Sequence, residues 1–101
     1  MTVPTAVIGA GAWGTSLAWL LAGKKGPTRL WAYEPEVADQ INRERENRRY
    51  LPGIILPGTL QASASLPEVL DGAGALIIVV PSHVAAGVIA SSLTSFEALW
   101  P

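Results

Sequence analysis

The segment that most constrains this chain is Gly9-x-Gly11-x-x-Gly14, placed between an apolar run and a helical stretch. The run, Thr5 to Gly9 (Thr-Ala-Val-Ile-Gly), starts just after Pro4 and closes on a glycine. Its length and composition fit a buried parallel strand. Three glycines between a strand and a helix each have a physical task. Gly9 permits the tight turn. Gly11 keeps a side chain out of the space where a ligand must approach the backbone. Gly14 lets the helix press against the sheet. The free N–H groups at the helix start, aided by the helix dipole, then attract linked phosphates without any positive side chain. The expected diphosphate loop of a bound dinucleotide is therefore Gly9, Ala10, Gly11, Ala12, Trp13 and Gly14. The alternative is a glycine turn that packs tightly and binds nothing, and the strand–loop–helix setting favours the ligand. Trp13 reads either as core or as a ring walling off the pocket.

The first helix runs to about Ala22. Gly14, Leu17, Ala18 and Leu21 share one face of it. Trp19 falls off that face, and Lys24 and Lys25 suit the helix C-terminus. Arg29 to Tyr33 reads as a second strand, and Glu34-Pro35 opens a second helix whose apolar side is Val37 and Ile41. Asn47 to Gly58 contains two Pro-Gly pairs and reads as an ordered loop. Leu60 to Ala64 is a short third strand. Ser65-Leu66-Pro67-Glu68 matches a capping box before a short helix ending near Gly72. Ala75 to Val80 is wholly apolar and stopped by Pro81, which makes it a fourth strand. His83 to Leu93 reads as a further helix, and Thr94 to Pro101 shows no period. The alternation predicts an α/β fold: a parallel sheet with helices on both faces.

Dinucleotide-binding units of this kind place an acidic residue about 20 positions past the loop, on the adenosine ribose. Glu34 lies 20 residues beyond Gly14. It is either that ribose acceptor or a carboxylate favoured by the dipole of the second helix. Ala32 is the other candidate for the usual acidic place, and Tyr33 is positioned to stack on adenine. No arginine directly follows the strand to hold a 2′-phosphate, which favours NAD over NADP. The cluster Arg43, Arg45, Arg48 and Arg49, mixed with Glu44 and Glu46, reads as a solvated helix end rather than a phosphate-steering patch.

Composition narrows the classes further. A length of 101 residues, half of them hydrophobic, fits one domain and not a disordered tail. Seven Lys+Arg against eight Asp+Glu leave no basic surface for nucleic acid. With no cysteine, thiol catalysis and cysteine-ligated metals are excluded, and the single histidine, His83, argues against any metal site. Nothing approaches the run of about 20 apolar residues that spans a bilayer. The N-terminus has no secretory pattern, so a cytoplasmic protein is expected. Ser82 lacks a nucleophile elbow and reads as a helix cap, and His83 as a capping or packing residue.

Four blocks resemble the bacterial-type NAD(P)-dependent glycerol-3-phosphate dehydrogenases. They are Ile8-Gly9-Ala10-Gly11-Ala12-Trp13-Gly14-Thr15, Leu30-Trp31, Tyr50-Leu51-Pro52-Gly53 with Leu56-Pro57, and Val79-Val80-Pro81-Ser82-His83. The resemblance implies a Rossmann-type N-terminal domain, here truncated after about four strands, and a helical C-terminal substrate domain absent from residues 1–101. It implies NAD or NADP as cofactor. The implied reaction interconverts dihydroxyacetone phosphate and sn-glycerol 3-phosphate, feeding glycerophospholipid synthesis. By position, Gly9, Gly11, Ala12, Trp13 and Gly14 line the diphosphate, Tyr33 meets the adenosine end, and Pro81 and Ser82 lie near the nicotinamide. Relatives often carry histidine or arginine where Tyr33 stands, and serine where Ala12 stands. The family's catalytic lysines fall beyond this chain, and Lys24 and Lys25 match neither, so no catalytic residue is expected within it. The expected partners are the dinucleotide and, in the complete protein, a small phosphorylated substrate. Self-association through the edge of the fourth strand is also expected. The rival readings are the cofactor domain of another two-domain hydroxy-acid or keto-acid dehydrogenase, and a non-catalytic nucleotide-binding module.

Overall fold

The structure, a computed structural model, describes residues 3–24 and 26–79. Seven elements follow in order: β1 (Thr5–Ile8), α1 (Ala12–Lys24), β2 (Thr28–Trp31), α2 (Pro35–Glu44), β3 (Leu60–Ser63), α3 (Leu66–Leu70) and β4 (Ala75–Ile78). The four strands form one sheet in the order β3-β2-β1-β4, and every neighbouring pair is parallel. The chain moves outward from β1 to β2 and β3, then returns to place β4 on the other side of β1. The order therefore reverses at β1, and ligands of such sheets bind in the crevice beyond the strand ends at that point.

Alternation along the strands divides the core in two. Val7 and Leu30 point to one face, where Ala18 and Ala22 of α1 and Val37 and Ile41 of α2 cover them. Ala6 and Ile8 point to the other face, where Val69 and Leu70 of α3 pack. This is the Rossmann-type arrangement, with helices on both faces of a parallel sheet.

The buried side of α1 differs from the expected stripe. Gly14, Thr15, Ala18 and Ala22 are buried, while Leu17 and Leu21 are only half-buried. Small residues at i, i+4 and i+8 bring the helix axis close to the sheet; Leu21 packs partly on the core, and Trp13, Trp19 and Leu20 turn outward. The strand β2 also starts and stops earlier than expected. Glu34 is extended ahead of Pro35, at φ −96° and ψ 118°, the geometry a residue before proline favours.

Polar side chains close the fold where backbone pairing stops. Asn42 donates its amide to the Ala62 carbonyl at 2.7 Å and accepts from the Ala62 N–H at 2.8 Å, covering the outer edge of β3. Ser65 caps α3 by accepting from the Glu68 N–H at 3.4 Å, as the capping-box pattern predicts. Arg45 departs from the solvated reading of the arginine cluster. It ends α2 in the left-handed region at φ 58°, and its guanidinium donates to the carbonyls of Leu56, Pro57 and Leu60. It clamps the long loop to the end of α2.

Candidate functional site

The loop leaves the sheet at its reversal point. The Gly9 N–H donates to the Trp31 carbonyl at 3.1 Å, and the Ile8 carbonyl accepts from the Val79 N–H at 2.7 Å. The turn thus springs from between β2 and β4. Gly9 has φ 121°, a conformation that side chains rarely tolerate. A Cβ on Gly14 would stand 1.7 Å from the Gly9 carbonyl oxygen, so the helix reaches the turn only because that atom is missing.

Gly11 behaves differently. Among the described residues, a Cβ there would meet no atom within 4 Å, and its φ is not positive. Neither packing nor backbone geometry within the chain asks for glycine at this place. Beside it α1 begins, and its first bond runs from the Thr15 N–H to the Gly11 carbonyl at 3.0 Å. The N–H groups of Ala12, Trp13 and Gly14 precede that bond and have no acceptor within the helix. The first turn holds no acidic side chain. Space left open by the described residues, donors without an intrahelical acceptor and a positive dipole end fit a diphosphate. Trp13 is 78% exposed at this turn, which rules out the core reading of its ring. Lys24 lies at the opposite end of α1.

A buried asparagine supports the turn. Asn47 is fully enclosed; its Nδ2 donates to the Ala10 carbonyl at 2.9 Å and to Thr15 Oγ1 at 2.8 Å. Its Oδ1 accepts from the Tyr50 N–H at 3.2 Å, and its carbonyl accepts from the Leu51 N–H at 2.8 Å. One side chain therefore joins the glycine turn to the 47–51 loop. Sequence reasoning did not find it, because an asparagine opening a turn-rich loop looks like an ordinary turn residue.

The end of β2 forms the adjoining rim. Ala32 is buried and donates its N–H to the Ser63 carbonyl at 2.9 Å. Tyr33 is 80% exposed, edge-on to the Trp31 ring at 6.0 Å. Glu34 is the N-cap residue of α2, yet its side chain makes no cap bond. Instead Oε1 accepts from the Tyr50 hydroxyl at 2.7 Å, and Oε2 pairs with Arg49 Nη1 at 2.5 Å. The Arg49 guanidinium also lies 5.5 Å from the centre of the Tyr50 ring. The hydrogen bond to Glu34 is the main cause that pushes the Tyr50 phenol above its ordinary pKa. The cluster was invisible along the chain: no arginine follows β2 directly, but the loop after α2 brings one back to it.

Pro81, Ser82 and His83 lie outside the described residues, as does the helix expected from His83 to Leu93. Among the described residues no group of three or more His, Cys, Asp or Glu could hold a metal ion, and no helix is long and apolar enough to cross a membrane.

Comparison with known proteins places this architecture. Residues 4–98 match the family model for the NAD-dependent glycerol-3-phosphate dehydrogenase N-terminus. A glycerol-3-phosphate dehydrogenase [NAD(P)+] of Desulfotalea psychrophila is 54% identical over 84 residues, covering 83% of this chain and 25% of that protein. The counterpart from Chlorobium limicola is 53% identical over 78 residues, covering 77% of this chain and 23% of its own length. The crystal structure of glycerol-3-phosphate dehydrogenase from Coxiella burnetii superposes with a TM-score of 0.85 at 41% identity, over 99% of this chain and 30% of that one. The chain thus spans about a quarter of the length of the curated relatives it matches.

Proposed function

The chain belongs to the NAD-dependent glycerol-3-phosphate dehydrogenase family, and from that premise we propose that residues 1–101 are its N-terminal dinucleotide-binding domain. The bound cofactor is NAD or NADP. The observation that carries the proposal is the space at Gly11, which no atom of the described residues fills, beside the first amides of α1, which have no acceptor within the helix. Gly9, Ala10, Gly11, Ala12, Trp13 and Gly14 hold the diphosphate through main-chain donors. Tyr33 and Glu34 face the adenosine end, and the family resemblance assigns Pro81 and Ser82 to the nicotinamide end.

In the complete enzyme a bound dinucleotide would donate hydride to dihydroxyacetone phosphate in one direction and accept it from sn-glycerol 3-phosphate in the other. This chain contributes binding and orientation. A helical substrate domain contributes the phosphorylated substrate's pocket and a lysine that polarises the carbonyl or moves the proton. The proposed setting is the cytoplasm, with the product feeding glycerophospholipid synthesis. Self-association belongs to the same reading: β4 is an outer strand among the described residues, and Leu76, Ile77 and Ile78 are half-buried.

Tryptophan emission tests the binding. Trp13 is exposed within the loop, so NADH or NADPH is expected to change the emission saturably. Trp13→Phe is expected to remove most of the change. No saturable change with either cofactor at millimolar concentration would overturn the proposal.

A further inference from the structure

The glycine turn explains how a diphosphate is held, but not which 2′ group the neighbouring rim accepts. Three observations bear on that choice. The rim is continuous with the turn, because β1 and β2 pair side by side and the Gly9 N–H bonds the Trp31 carbonyl. The loop carrying Arg49 and Tyr50 is fastened to the same turn through Asn47. At the rim Glu34 does not stand alone, since Arg49 engages one of its oxygens and the Tyr50 hydroxyl the other.

A bare carboxylate here would accept a hydrogen bond from a ribose hydroxyl and repel a 2′-phosphate. Arg49 changes the second half of that rule. The pair is close to neutral, so the repulsion is cancelled. Each Glu34 oxygen keeps a free lone pair for a ribose hydroxyl, and Arg49 keeps N–H donors beyond the one used on Glu34. The side chain of Arg49 is 58% exposed and that of Glu34 24%, so Arg49 is the more accessible member of the pair. Guanidinium groups bind phosphate in a forked geometry without a large rearrangement. Stacking over the Tyr50 ring keeps the group at the rim in either role.

We propose that Arg49 is a specificity-determining residue that, as the counter-ion of Glu34, makes this rim accept both a 2′-hydroxyl and a 2′-phosphate. The inference rests on the dinucleotide reading above and adds a residue 15 positions beyond Glu34, on a different loop.

The test is calorimetric titration of the chain and three variants with NADH and with NADPH, each variant first checked by thermal melting. The parent is expected to bind both cofactors with affinities within about tenfold of each other. Arg49→Gln is expected to weaken NADPH by about tenfold or more, the scale of one lost charge-assisted hydrogen bond, while NADH changes less than about threefold. Arg49→Lys keeps the charge and is expected to recover most of the NADPH affinity. Glu34→Gln is expected to shift the ratio the other way, toward NADPH. An unchanged NADPH-to-NADH ratio in both Glu34→Gln and Arg49→Gln, with the parent binding, overturns this inference alone. If Arg49→Gln does not fold, the ratio in Glu34→Gln decides. A parent that binds neither cofactor overturns the dinucleotide reading and this inference with it.

Discussion

The glycine turn and the rim at the end of β2 adjoin each other and are built by opposite means. In the turn, atoms are left out. Gly14 has no Cβ because the Gly9 carbonyl occupies its place, and Gly11 lacks one where no atom of the described residues stands. In the rim, side chains are brought in. Glu34, Arg49 and Tyr50 meet from two separate loops and satisfy one another. A site made by omission depends on backbone geometry and tolerates no added atom. One made by side-chain pairing depends on charge and can be retuned by single substitutions. The turn therefore suits what all such cofactors share, the diphosphate, and the rim suits what distinguishes them.

The sharpest way to break the comparison is at Gly14. Gly14→Ala puts a methyl group into the Gly9 carbonyl and is expected to destabilise the chain by about 3 kcal/mol or more in urea unfolding. A loss below about 1 kcal/mol would mean that α1 can move away from the turn. Asn47→Ala comes next. It strands the Ala10 carbonyl, the Thr15 hydroxyl and the Tyr50 N–H, two of them in a dry interior, so about 2–3 kcal/mol is expected. The same variant is expected to weaken NADH binding, because the turn and the 47–51 loop are no longer tied together.

The smallest effect concerns the rim and is read by pH. The Tyr50 phenol is raised above 10.0 chiefly by its hydrogen bond to Glu34. A raised value in the folded chain means that the contact is fully present below the ordinary tyrosine pKa. It is lost as pH climbs through the raised one. In a Tyr33→Phe background Tyr50 is the sole tyrosine, and ultraviolet titration follows it alone. Adding Glu34→Gln is expected to lower its midpoint. A midpoint that stays in place would remove Glu34 as the cause.

The same contrast explains what could be read along the chain. The order of elements, the parallel sheet and the glycine turn follow from local rules of period, capping and missing Cβ atoms. Strand–turn–helix chemistry lies within a few residues, so Gly9 to Gly14 and Ser65 were legible. Arg45, Asn47 and Arg49 were not. Each acts on partners far along the chain: Arg45 on Leu56 to Leu60, Asn47 on Ala10 and Thr15, Arg49 on Glu34. Along the chain the two arginines look like solvated surface and Asn47 like a turn residue, and only the folded loops show whom they meet. The α1 stripe was legible in part: Gly14 and Ala18 are buried and Leu21 packs on the core, while close helix–sheet packing adds Thr15 and Ala22 and leaves Leu17 half-buried.

The central claim is that Gly11 is glycine for the ligand and not for the fold. Gly11→Ala tests it directly, by calorimetry with NADH alongside a thermal melt. The account predicts a melting temperature within about 3 °C of the parent and binding weakened by more than about tenfold. Binding as tight as the parent's, in a variant that melts with it, would contradict the claim that the diphosphate lies against this turn.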